Sequence, residues 1–140
     1  MEHRDYDAIV IGAGQAGGPL SRDLASAGWK TALVERKHVG GTCVNEGCAP
    51  TKTMIASARV AYLVQRAADY GVQTGPVTVD MTKVRQRKRD IVHDFRSGSQ
   101  QRIEGTDGLD LVMGEARFEA RVDGGAATAN LSIQPSPGQL

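Results

Sequence analysis

Apolar positions recur along this chain in two rhythms. Tyr6-Asp-Ala-Ile-Val-Ile11 and Thr31-Ala-Leu-Val34 are short, nearly continuous apolar runs, the pattern of parallel strands covered on both faces. Between them Gly12-Ala-Gly-Gln-Ala-Gly-Gly18 opens a helical segment that reaches Ala27 and stops at Gly28. Strand, helix and strand in that order predict a βαβ unit with a right-handed crossover. Residues 36–45 read as loop. From about Gly47 to Asp69 the pattern turns helical, with Arg59, Gln65, Arg66 and Asp69 forming a narrow polar stripe, so this helix is expected to be largely buried. Tyr70-Gly71 ends it, and Val72 to Val79 connects. Asp80 is placed to cap a second long helix, in which Met81, Val84, Ile91, Val92, Phe95 and Ile103 recur near the 3.6 period and Gly105 stops the run. Gly98 interrupts that helix and weakens it by ~1 kcal/mol relative to Ala. Leu109 to Met113 and Glu115 to Val122 read as two strands around Gly114. Residues 123–140, rich in Gly, Ala and Pro, read as an irregular, disordered tail in which only Leu131 and Ile133 hint at a strand.

Composition narrows the class. The 140 residues suffice for one domain, and 40% hydrophobic with 24% charged positions fits a soluble globular chain. Seventeen Lys and Arg against sixteen Asp and Glu leave net +1, no bulk field for nucleic acid or an anionic membrane. Lys83, Arg85, Arg87, Lys88, Arg89, Arg96 and Arg102 cluster on the second long helix, opposite an apolar stripe. They read as the solvated face of an amphipathic helix, without the stacking groups a nucleic-acid site needs. No apolar stretch approaches the ~20 residues of a bilayer span, which makes the cytoplasm the default compartment. His3, His38 and His93 read as surface residues.

The glycines carry the first chemistry. Gly12-x-Gly14-x-x-Gly17 follows a strand and opens a helix. The first glycine permits a tight turn, the second lets backbone approach a pyrophosphate, and the third lets helix and strand pack closely. The anion would rest at the positive end of the helix dipole. Glu35 closes the second strand, 21 residues after Gly14, where a carboxylate can accept hydrogen bonds from ribose hydroxyls. Its charge disfavours a 2′-phosphate there, but the fingerprint alone does not separate FAD from NAD.

Gly41-Thr-Cys43-Val-Asn-Glu-Gly-Cys48-Ala-Pro-Thr-Lys52 carries the second. Two cysteines five apart can bridge only if their Cα atoms come within ~7 Å, and Gly47 with a helix starting near Cys48 offers the necessary bend. A thiol at a helix N-terminus ionises more easily, and Lys52, one turn on, adds to that field. Pro50 falls in the first turn, where a missing N–H is harmless. A redox dithiol meets this description. Two unrelated buried thiols, or half of a zinc site, also remain open.

The same block, shortly after a GxGxxG and an acid-terminated strand, resembles the pyridine nucleotide-disulfide oxidoreductases from about Tyr6 to Phe118, especially the mercuric reductase-like and dihydrolipoyl dehydrogenase-like branches. The resemblance implies an α/β, Rossmann-like FAD-binding domain with a parallel sheet, two long helices and a small antiparallel strand pair. It implies that Gly12, Gly14 and Gly17 cradle the FAD pyrophosphate, that Glu35 holds the adenosine ribose, and that Gly41 and Thr42 approach the flavin side. Ala116, in Gly114-Glu-Ala-Arg-Phe118, would offer backbone to the adenine end. Cys43 and Cys48 would form the active disulfide, Cys43 as interchange thiol and Cys48 as the thiolate nearer the flavin, with Lys52 close to the flavin N5. Electrons would pass from NAD(P)H through FAD to the cysteine pair and on to a disulfide, dithiol-linked or Hg(II) acceptor.

Thr51 stands where that family usually has Ser, and keeps the hydroxyl. The family's NAD(P) and dimerisation domains, the latter supplying a His–Glu pair across a homodimer, have no counterpart in these residues. The chain therefore reads as an N-terminal fragment: residues 1–122 as part of an FAD domain incomplete at its C-terminus, and 123–140 as tail. A catalytically inactive remnant that at most binds an adenine nucleotide is the alternative.

Overall fold

Three parallel strands in the order β1–β2–β3 organise the first of two units in the structure, a computed structural model that describes residues 3–119 and 130–134. This unit takes the described residues up to Gly41 and from Gly98 onward; the second is Thr42–Ser97. The strands are β1 (Ala8–Ile11), β2 (Thr31–Glu35) and β3 (Leu109–Met113). Ala8 pairs with Thr31 and Ile11 with Val34, while Thr31 also pairs with Leu109 and Glu35 with Met113. Helix α1 (Gly17–Ser26) connects β1 to β2, so the predicted strand–helix–strand order holds.

The central strand justifies its unbroken apolar run. Ala32, Leu33 and Val34 are fully enclosed, with Ala13, Ala25, Val39, Ile103 and Leu109 completing the core. Burying a side chain such as Leu33 contributes about 2 kcal/mol. Ser21 sits among them at no cost in unmet polarity, because its hydroxyl donates to the Gly18 carbonyl at 2.9 Å. β1 departs from expectation. It was predicted to be covered on both faces, yet Ile9 and Ile11 are exposed, Ile11 by half. Among the described residues it stands at the end of the strand order and pairs with β2 alone, which explains the alternation.

The two strands read around Gly114 part company. β3 extends the parallel sheet. Gly114 then donates its N–H to the Glu35 carbonyl at 2.8 Å, and β4 (Glu115–Phe118) pairs antiparallel with β5 (Leu131–Gln134). β4 ends at Phe118, short of the expected Val122, and residues 120–129 lie outside the described part. The small antiparallel pair is therefore β4–β5, and four residues of the segment read as irregular tail form its second strand.

The second unit is helical. Residues 36–45, read as loop, include a short helix, α2 (Gly41–Asn45). α3 (Cys48–Gln65) follows, then a 3₁₀ turn (Ala67–Tyr70) that closes at left-handed Gly71, φ 76°. Asp80 caps α4 (Met81–Glu104) as expected, its Oδ1 accepting the N–H groups of Thr82 and Lys83. Gly98 leaves α4 unbroken. The buried α3 that the pattern predicted is corrected. Thr53 alone is buried in it, and Ile55, Val60, Tyr62 and Leu63 are exposed. Apolar residues encircle this helix, and most of them stay exposed. Met54, Ile55, Ala58 and Tyr62 line an open apolar groove of about 460 Å³ with Val79 and Val84. No helix among the described residues is long and apolar enough to cross a membrane.

Candidate active site

The glycine turn lies wholly in the first unit. Gly12 adopts φ +97°, a conformation open to glycine, and donates to the Val34 carbonyl at 2.7 Å. Gly17 lies so close to the turn that a Cβ there would stand 1.9 Å from the Gly12 carbonyl oxygen and 3.2 Å from Val10 Cγ1. Gly14 is different, since a Cβ on it would meet nothing nearer than Gly41 Cα at 3.9 Å. Its bareness serves something other than packing. No side chain caps α1, and its first turn carries no acid, so the positive end of its dipole is open to an anion.

A second glycine pair closes on the first. Gly40 donates to the Ala13 carbonyl at 2.7 Å, Gln15 donates its side-chain amide to the Gly40 carbonyl at 3.3 Å, and Gly41, at φ +59°, lies against Gly14. Glu35 is already engaged: one carboxylate oxygen accepts the buried Ala13 N–H at 2.9 Å and the other accepts the Lys37 N–H at 2.8 Å. These bonds aim the carboxylate and leave lone pairs on both oxygens for further donors. Gly114, tied to the Glu35 carbonyl, brings β4 and hence Ala116 to the same end of β2. An uncapped helix N-terminus, a bare glycine and an aimed carboxylate suit a diphosphate joined to a ribose. On that donor set the residues fit the adenosine diphosphate part of FAD.

The cysteines lie in the second unit. Cys43 sits part-buried in α2, and Cys48 is the exposed first residue of α3. Gly47 makes the bend: a Cβ on it would stand 3.1 Å from the Thr42 carbonyl oxygen and 3.5 Å from Cys43 Cα. Glu46 also donates to the Thr42 carbonyl, at 2.9 Å. The loop thus folds back on itself and the two thiols meet. Both cysteines are free, the reduced form of the expected redox pair, and the Cys48 side chain lies close enough to act on the Cys43 thiol. Hydrogen bonding to Cys48 holds the Cys43 thiol above the ordinary thiol range, assisted by burial and by charge on Cys48, while the Lys52 ammonium pulls it down. Pro50 occupies the first turn of α3 as predicted, and Thr42 and Lys52 are exposed. Among the described residues no group of three His, Cys, Asp or Glu side chains could hold a metal ion.

Three contacts escaped the sequence reading: the Ala13–Glu35 bond, the Gln15–Gly40 bond, and Arg96 of α4, whose Nε donates to Asn45 Oδ1 at 2.7 Å. Only the first had a sequence signal, in the acid that ends β2.

The sequence profile of the pyridine nucleotide-disulphide oxidoreductases matches residues 6–131. The chain belongs to this family. Its members are FAD-dependent oxidoreductases. The chain is 39% identical to dihydrolipoyl dehydrogenase of Chlamydia muridarum over 66% of its own length and 20% of that protein's. It is 33% identical to mercuric reductase of Bacillus cereus over 81% of its length and 18% of the relative's. Among solved structures it is similar to the HOCl-induced flavoprotein disulfide reductase RclA from Escherichia coli, with a TM-score of 0.65 and 34% identity, covering 81% of this chain and 22% of that one. The chain spans about a fifth of the length of these relatives.

Proposed function

We propose that this chain supplies the FAD-binding and dithiol-bearing part of a flavin-dependent disulfide oxidoreductase, in which electrons from NAD(P)H reach Cys43 and Cys48 and then a disulfide, dithiol-linked or Hg(II) acceptor. The observation that carries this reading is the bend at Gly47, which packs against Thr42 and Cys43 and sets Cys48 beside the Cys43 thiol. Thiols held in contact can interconvert with a bridge at low cost in chain entropy, which two scattered core cysteines cannot.

Gly12, Gly14 and Gly17 would form the diphosphate cradle, Glu35 would receive ribose hydroxyls, and Gly41 and Thr42 would approach the cofactor beyond the diphosphate. Ala116 would offer backbone to the adenine. When bound, FAD supplies the two-electron relay between a nicotinamide and the sulfurs. By the family pattern Cys43 would exchange with substrate as its thiolate, and Cys48 would take the flavin-facing role. Lys52, whose ammonium already acts on Cys43, would steady negative charge as the sulfurs ionise.

Thiol counting tests the reading. Under mild oxidation the folded chain should lose two alkylatable thiols together and recover both with dithiothreitol, and FAD should bind with quenched fluorescence. Independent modification of the two cysteines, with no FAD bound, would leave only a nucleotide fold.

A further inference from the structure

Asn45 lies midway through the loop between the cysteines, two residues after Cys43 and three before Cys48. It ends α2, and its side-chain oxygen accepts a hydrogen bond from Arg96 Nε at 2.7 Å. The two residues are 51 positions apart and both part-buried, within the second unit. A guanidinium donating to a neutral amide is a charge-assisted bond, stronger than an exchange between neutral groups. Lys52 is the cation that acts on the Cys43 thiol. Arg96 bears on the loop itself, through its bond to Asn45.

We infer that Arg96 is a positioning residue for the redox pair: by holding Asn45 it keeps the loop from Cys43 to Cys48 folded back, and so raises the effective concentration of one thiol at the other. The inference rests on the dithiol reading above. Closing the bridge requires the loop ends to be near each other, and a loop already held there gives up less freedom on closure. Arg96 thus favours the disulfide over the open dithiol.

The step that measures this is exchange with glutathione. One oxidised glutathione takes two electrons from the pair; the S–S bond between Cys43 and Cys48 forms, the glutathione S–S bond breaks, and two glutathione thiols receive the two protons. The experiment equilibrates the 140-residue chain with mixtures of reduced and oxidised glutathione, quenches with an alkylating agent and reads the fraction bridged by mass. Arg96→Met should lower the equilibrium constant for closure about three- to tenfold, the scale of one charge-assisted hydrogen bond only partly retained. Asn45→Ala, which leaves the charge of α4 in place, should lower it by the same factor, and the double variant should fall no further than either alone. Should Arg96→Met fail to fold, Asn45→Ala still decides. Closure of the wild-type bridge with an unchanged constant in the variants, or fully additive losses in the double variant, would overturn the role of Arg96 alone. A wild-type chain that forms no bridge at any glutathione ratio would overturn the dithiol reading and this inference together.

Discussion

Two glycines three residues apart in one turn should fail in opposite ways. Replacing Gly17 with Ala sets a methyl group 1.9 Å from the Gly12 carbonyl oxygen and 3.2 Å from Val10 Cγ1. The first obstacle is backbone, held by the Gly12–Val34 hydrogen bond, so relief requires helix and turn to separate by about 1 Å. Overpacking of this kind costs about 1–3 kcal/mol, and a clash with fixed backbone belongs at the upper end. A loss of about 3 kcal/mol is a large part of a typical domain's 5–15 kcal/mol and should lower the melting temperature by roughly 10 °C. Gly14→Ala meets only Gly41 Cα at 3.9 Å, an ordinary contact, and Gly14 does not need a left-handed backbone. Its stability should stay within about 1 kcal/mol of wild type, because Ala also restricts the unfolded chain. FAD affinity, however, should fall tenfold or more, about 1.4 kcal/mol, as the methyl group stands where the diphosphate must come close. Urea unfolding followed by circular dichroism reads the first effect, and quenching of flavin fluorescence reads the second. A Gly17→Ala chain as stable as wild type, or a Gly14→Ala chain with undiminished FAD affinity, would refute the division of labour.

Three further outcomes are expected. Gly98→Ala should stabilise the chain by about 1 kcal/mol in urea melts, since α4 is continuous there and the new methyl meets only the flexible end of Arg102 at 3.6 Å. Cys43, with its thiol held high, should be alkylated slowly at neutral pH, the rate rising about tenfold per pH unit below its pKa. Cys48→Ala removes both the hydrogen bond and the charge that raise it, so alkylation of Cys43 at pH 7 should quicken, whereas Lys52→Met should slow it; mass spectrometry of timed samples distinguishes the two. Glu35→Gln keeps an acceptor for the Ala13 N–H but turns a donor toward that of Lys37, so stability should drop by about 1 kcal/mol and FAD affinity by roughly tenfold, measured by the same melts and titrations.

Local rules made much of this architecture legible. A tight turn after an apolar run, an acid at the next strand's end and a glycine bend before a helix each involve residues near in sequence, and Gly12, Glu35 and Gly47 stand in the geometry expected of them. Periodicity misled where burial depends on what surrounds an element. α3 has the composition of a core helix but is largely exposed, and β1 has that of a central strand but ends the strand order. Pairing partners were equally out of reach: nothing local says that β3 joins β2 while β4 crosses to β5. The link from Arg96 to Asn45 looked like one more charge on a basic helix, because direction around that helix is fixed by tertiary packing and not by composition.

The most direct test combines cofactor and thiols in one spectrum. The chain is first oxidised to the Cys43–Cys48 bridge and loaded with FAD, then reduced anaerobically with two electrons from dithionite, and compared with Cys48→Ala treated identically. A yellow wild-type protein that develops long-wavelength absorbance on reduction, absent in the variant, is the expected result. A colourless protein, or the same absorbance without Cys48, would contradict it.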